Sequence, residues 1–145
     1  MVLASAVLML ILLGIVVLAA RSGVRRQRQR DLVLSQRWAQ IQSQAHTMPD
    51  AGLAQVANVY QPARRGSKAE IVWLATGYRQ DTWFAYNWPR AGSIVLLRGS
   101  TGWGPHNQNP NVFYVAPNQI LSLLPPDTMA AVRRQQQRDA QGVGR

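Results

Sequence analysis

The chain has 145 residues, a formal net charge of +10 with only 6 acidic residues, and no cysteine. That length holds one small domain with tails and excludes two domains. The missing cysteine excludes disulfides and thiolate metal sites and leaves the redox compartment open.

Residues 1–20 contain no charged side chain. At 1.5 Å per residue this run makes a helix of about 30 Å, the thickness of a bilayer's hydrocarbon core. It reads as a single N-terminal transmembrane α-helix. A cleaved signal peptide fits less well, because its apolar stretch is about 7–15 residues and follows a charged segment. Residues 21–30 form a basic juxtamembrane segment. Arg21, Arg25, Arg26, Arg28 and Arg30 all follow the apolar run and none precedes it. The positive-inside rule then expects a single-pass protein of the cell membrane, N-terminus outside and C-terminal body cytoplasmic. The lipid bilayer is its first expected partner, with the five arginines against the anionic leaflet.

Residues 31–60 read as a helical stalk. Leu34, Trp38, Ile41 and Ala45 recur at helical spacing and make a narrow stripe, a candidate helix interface. The stripe either packs on the protein's own domain or pairs with a second copy as a short coiled coil, so a homo-oligomer is possible. Pro49 breaks this helix, and Asp50 is placed to cap a second one through about Val59, with Leu53, Val56 and Ala57 inward. Residues 61–67 read as a linker.

From Lys68 the texture changes to short aromatic and β-branched runs between Gly, Pro and Asn. Residues 71–74, 82–88, 94–98, 112–115 and 120–123 read as five strands within a small all-β module over 68–125. The segment Tyr114-Val115-Ala116-Pro117-Asn118-Gln119-Ile120, followed by Leu123-Leu124-Pro125, resembles the end of an SH3 domain. There an apolar strand enters a single-turn helix and leaves in a final strand. The resemblance implies an SH3-like barrel, with Trp103, Pro117 and Asn118 at groove-like positions. It does not carry over a proline-peptide groove, because the opening Ala-Leu-Tyr-Asp-Tyr motif, the acidic loop and the paired tryptophans are missing and Gln119 replaces the tyrosine. Residues 126–145 are polar and read as a basic flexible tail.

No catalytic constellation is visible. His46 and His106 lie far apart without a neighbouring carboxylate, there is no phosphate loop, and neither a cofactor nor a metal is expected. The Gly- and Asn-rich loop from Gly99 to Asn111 is the most distinctive segment after the N-terminus. Trp103, His106 and Asn107 on it, with Pro117 and Asn118, are the candidate partner-binding residues. Nucleic acid is an unlikely partner on this reading, because Lys68, Arg79, Arg90 and Arg98 against Glu70 and Asp81 leave the 68–125 module only slightly basic. The expected function is therefore that of a non-catalytic, single-pass membrane protein. Its cytoplasmic SH3-like module would dock a protein partner, as an accessory or assembly subunit of a membrane complex. The alternatives are an outward-facing module binding cell-wall or surface polymer, and a membrane tether for nucleic acid.

Overall fold

The computed structural model describes residues 2–101 and 109–143, with side chains described except at 2–8, 10–13 and 143. A single helix, α1, runs unbroken over Val2–Thr47. It holds no proline, and Gly23 does not interrupt it. At its end His46 Nδ1 meets the Gln42 carbonyl at 2.7 Å and the Thr47 hydroxyl donates to the Gln44 carbonyl at 2.9 Å. Pro49 follows and stops the helix.

The membrane expectation is corrected here. Among the described residues no helix is long and apolar enough to cross a membrane. The transmembrane anchor, the single-pass topology and the cell-membrane location are overturned together.

Among the described residues seven strands follow, β1 (Gly52–Ala63), β2 (Gly66–Trp73), β3 (Arg79–Ala85), β4 (Ile94–Leu97), β5 (Ser100–Thr101), β6 (Val112–Val115) and β7 (Ile120–Leu124), and then a second helix, α2 (Thr128–Val143). The strands form one sheet in the order β5-β6-β3-β2-β1-β4-β7. All neighbours are antiparallel except β3 and β6, which are parallel. The sheet curls but does not close, since β5 and β7 are both edges. The small SH3-like barrel expected over 68–125 is instead a curled seven-stranded sheet, a half-barrel whose strands begin at Gly52. A single 3-10 turn over Pro117–Gln119 links β6 to β7.

Two further expectations change. The helix expected over 50–59 and the linker over 61–67 are the long strand β1, its two-residue turn and the start of β2. β1 pairs with β4 through its first residues and with β2 along most of its length, so ladders on both sides override its helix-compatible spacing. Bulges between Val56 and Asn58 and between Val59 and Gln61 bend the strand and curl the sheet. The flexible tail expected over 126–145 contains α2, which packs along α1.

Two cores result. Inside the curl lie Ala54, Val56, Ala69, Ile71, Phe84, Val95, Leu97 and Val115. On the sheet's other face Ile94, Leu96 and Leu124 meet Ile41 of α1. Strand β4 sends Val95 and Leu97 into the first core and Ile94 and Leu96 into the second. Its uninterrupted apolar run follows from burial on both faces.

Candidate functional site

The stripe on α1 meets the protein's own domain. Leu34 and Ile41 are buried, and Ile41, at 1% exposure, sits against Ile94, Leu96 and Leu124. Trp38 and Ala45 pack around the rim of this contact with Ala51, Leu53, Leu121 and Met129. They do not fill it. Between the end of α1, the start of β1, the segment after β2 and the first turn of α2 remains a groove of about 540 Å³. Trp38, Ala45, Leu53, Leu74 and Met129 supply its apolar walls, and Gln42 and His46 its polar rim.

Local geometry fixes each wall. The Leu74 N–H donates to the Leu53 carbonyl at 2.9 Å, tying the end of β2 to β1. Gly52 has to be glycine, because a Cβ there would lie 2.5 Å from the Trp73 ring. That ring is fixed in turn by its indole N–H, which donates to Gln80 Oε1 at 2.7 Å, and by an edge-on contact with Phe113 at 5.1 Å between centroids.

The Met129 wall depends on how α2 is held to α1. Asp31 of α1 is fully buried, at 0% exposure, yet charged. Arg134 donates to it through Nη2 at 2.8 Å and Nε at 3.1 Å, Arg138 through Nη2 at 2.9 Å and Gln27 through Nε2 at 3.0 Å. The Arg134 hydrogen bond, against the opposing effect of burial and with help from Arg138, lowers the carboxyl pKa to about 2. Arg30 adds an exposed ion pair to Asp127 at 2.8 Å, just ahead of α2. Ala131 and Val132 complete the buried face of α2.

His46 is the one titratable residue lining the groove. Among the described residues, no three His, Asp or Glu side chains gather into a set that could hold a metal ion.

The structure packs Trp38 and Ile41 against the sheet and α2, and buries Leu34 two turns before Ile41 on α1. It leaves Arg21, Arg25, Arg26 and Arg28 exposed along α1 and pairs Arg30 with Asp127. Pro117 and Asn118 are exposed on the 3-10 turn and do not line the groove. Trp103, His106 and Asn107 lie outside the described residues. Sequence reasoning missed Leu53, Leu74 and Met129 as partners of Trp38. Only the apolar character of Met129 and Ala131-Val132, within a polar tail, hinted that α2 docks. No protein-family model, curated protein or solved structure matches this chain.

Proposed function

We propose that the chain is a non-catalytic docking module that takes apolar side chains of a partner polypeptide into the groove between α1, β1 and α2. The groove itself carries this reading. Its volume of about 540 Å³ suits a few bulky side chains, and its walls are apolar with a sparse polar rim. An amphipathic helix offering two or three anchors along one face is the partner shape such a groove accepts. The absence of any catalytic constellation in the sequence agrees with a binding role.

The test is site-specific photo-crosslinking of the full chain in its host, with a benzophenone amino acid replacing Leu74. A discrete protein adduct from position 74, without the same adduct from a label at the exposed Arg90, supports docking. No adduct, or the same adducts from both positions, contradicts it.

A further inference from the structure

A second surface, none of whose residues lines the groove, is built around the β1–β2 turn. Ala63 and Gly66 pair across the turn and leave Arg64 and Arg65 exposed at its tip. The segment after β3 folds back onto this tip. The Tyr86 N–H donates to the Arg65 carbonyl at 2.8 Å, the Trp88 indole N–H to the Ala63 carbonyl at 2.9 Å, and the Ser67 hydroxyl to the Asn87 carbonyl at 2.9 Å. The Trp88 ring and the Tyr86 backbone are thereby held against the turn that carries the two arginines, and exposed Arg90 follows two positions after Trp88.

Three observations set this corner apart. Tyr86 has φ 51, the only positive φ of a non-glycine residue among those described. Left-handed backbone costs a tyrosine about 1–2 kcal/mol, and such strain collects at functional positions. Secondly, Tyr86 and Trp88 remain 58% and 51% exposed. Trp88's single polar group is already satisfied, so its ring is held in place and still open to a ligand. Thirdly, among the described residues no carboxylate pairs with Arg64 or Arg65. All six acidic side chains are engaged elsewhere: Asp31 with Arg134 and Arg138, Asp50 with Arg98, Glu70 with Arg79, Asp81 with Tyr60, Asp127 with Arg30 and Asp139 with Gln135.

Two exposed rings, one of them anchored, on the turn that carries unpaired guanidinium groups match a ligand that is planar and anionic at once. We infer that Arg64, Arg65, Tyr86 and Trp88 bind single-stranded nucleic acid, with bases stacked on the rings and phosphates on the guanidinium groups. An acidic polypeptide would use the arginines and leave the rings idle. A duplex would hide the base faces. The arginines of α1 are more numerous, but the grooves they line contain no aromatic residue. The low charge of the 68–125 module does not argue against this site, because Arg64 and Arg65 lie just before it and only the fold brings them to Tyr86 and Trp88.

The test is fluorescence anisotropy of the full chain with labelled oligothymidylate and oligouridylate of about 12 nucleotides. The titration spans about 50–200 mM salt. The expected logarithmic salt slope is roughly −1.4, for the two phosphates held by Arg64 and Arg65 on a single strand. Changing Arg64→Gln and Arg65→Gln together should weaken binding about tenfold or more and flatten the slope by about 1.4. Tyr86→Asn removes the ring while asparagine tolerates the left-handed backbone. It should weaken binding about fivefold and leave the slope unchanged. An unaltered unfolding midpoint in Tyr86→Asn keeps that comparison free of folding effects. The inference is overturned if no binding is seen at the lowest salt, or if Tyr86→Asn binds like the parent. It is also overturned if polyglutamate or a duplex of the same length competes as well as unlabelled single strand.

Discussion

The Asp31 carboxylate on α1 lies 2.8 Å from the Arg134 guanidinium on α2, closing a separation of 103 residues in the chain. Asp31 has no access to water, whereas the Arg134 and Arg138 side chains are 41% and 30% exposed. The buried member therefore depends on its partners more than they depend on it. Desolvating a carboxylate costs several kcal/mol, and four hydrogen bonds from three side chains offset that cost. The result is a latch that fixes α2, and so Met129, against the groove.

Removing the carboxylate should loosen the latch without emptying it of donors. Asp31→Asn is expected to destabilise the fold by about 2 kcal/mol, since the arginines can turn back to water. Arg138→Gln, which leaves both Arg134 bonds, should cost about 1 kcal/mol. Urea unfolding followed by circular dichroism measures both, and hydrogen exchange in α2 should rise more in Asp31→Asn.

The same latch gives stability an acid limb. The Asp31 pKa is lowered from 3.8 to about 2 in the folded chain. Its contribution is therefore complete above the unfolded value and is lost as pH falls from about 4 through 2. At about 1.4 kcal/mol per unit this amounts to about 2 kcal/mol. Unfolding free energies between pH 2 and 6 should show that loss in the parent chain, and a correspondingly flatter limb in Asp31→Asn.

Two glycines should respond to alanine with opposite signs. Gly66 has φ 146, and a Cβ there would lie 2.1 Å from the Phe84 carbonyl oxygen. Gly66→Ala is expected to cost about 3 kcal/mol or more, because a backbone atom has to yield. Gly23 lies within α1 with nothing within 4 Å of its Cβ position. Gly23→Ala should raise the helix content and stability by up to about 1 kcal/mol. Thermal unfolding of the two variants distinguishes the cases.

Ile41 joins the long helix to the sheet, filling the space over Ile94, Leu96 and Leu124. Ile41→Ala should destabilise by about 3 kcal/mol, the range for a buried aliphatic side chain replaced by alanine. The companion change Leu32→Ala, at an exposed position of the same helix, should stay within about 0.5 kcal/mol. Equilibrium unfolding of both variants checks the difference.

What could be read from sequence depended on whether local pattern and tertiary pairing agreed. The helical stripe of Leu34, Trp38 and Ile41 was legible because its spacing and its burial coincide, although its partners in β4, β7 and α2 were not. β4 was legible as an apolar run. β1 was not, since its bulges fall at Ala57 and Tyr60 and interrupt the period-two alternation that marks a strand. Leu53, Val56 and Ala57 meanwhile imitate a helical face. β5 is two residues long and exists only through its ladder with β6. α2 looked like a tail because its support is Asp31, and nothing near Arg134 and Arg138 in sequence announces a carboxylate 103 residues earlier. The apolar N-terminal run was legible as helix, and α1 does continue through it. The reading of that helix as a membrane span is what the described residues overturn. The Tyr86–Trp88 corner escaped notice because its arginines were assigned to a linker.

The central claim is that the groove beside Met129 receives a partner's apolar side chains, and Met129→Glu tests it most directly. A glutamate in the first turn of α2 suits the helix dipole, which offsets part of the packing that Met129 loses against the second core, while a charge enters the groove wall. With the photo-crosslinker at position 74, the account predicts a discrete adduct in the parent. In Met129→Glu that adduct should fall by at least about tenfold at a temperature where circular dichroism shows both chains folded, as expected for a charge desolvated in an apolar contact. An adduct of equal yield in both chains would contradict it.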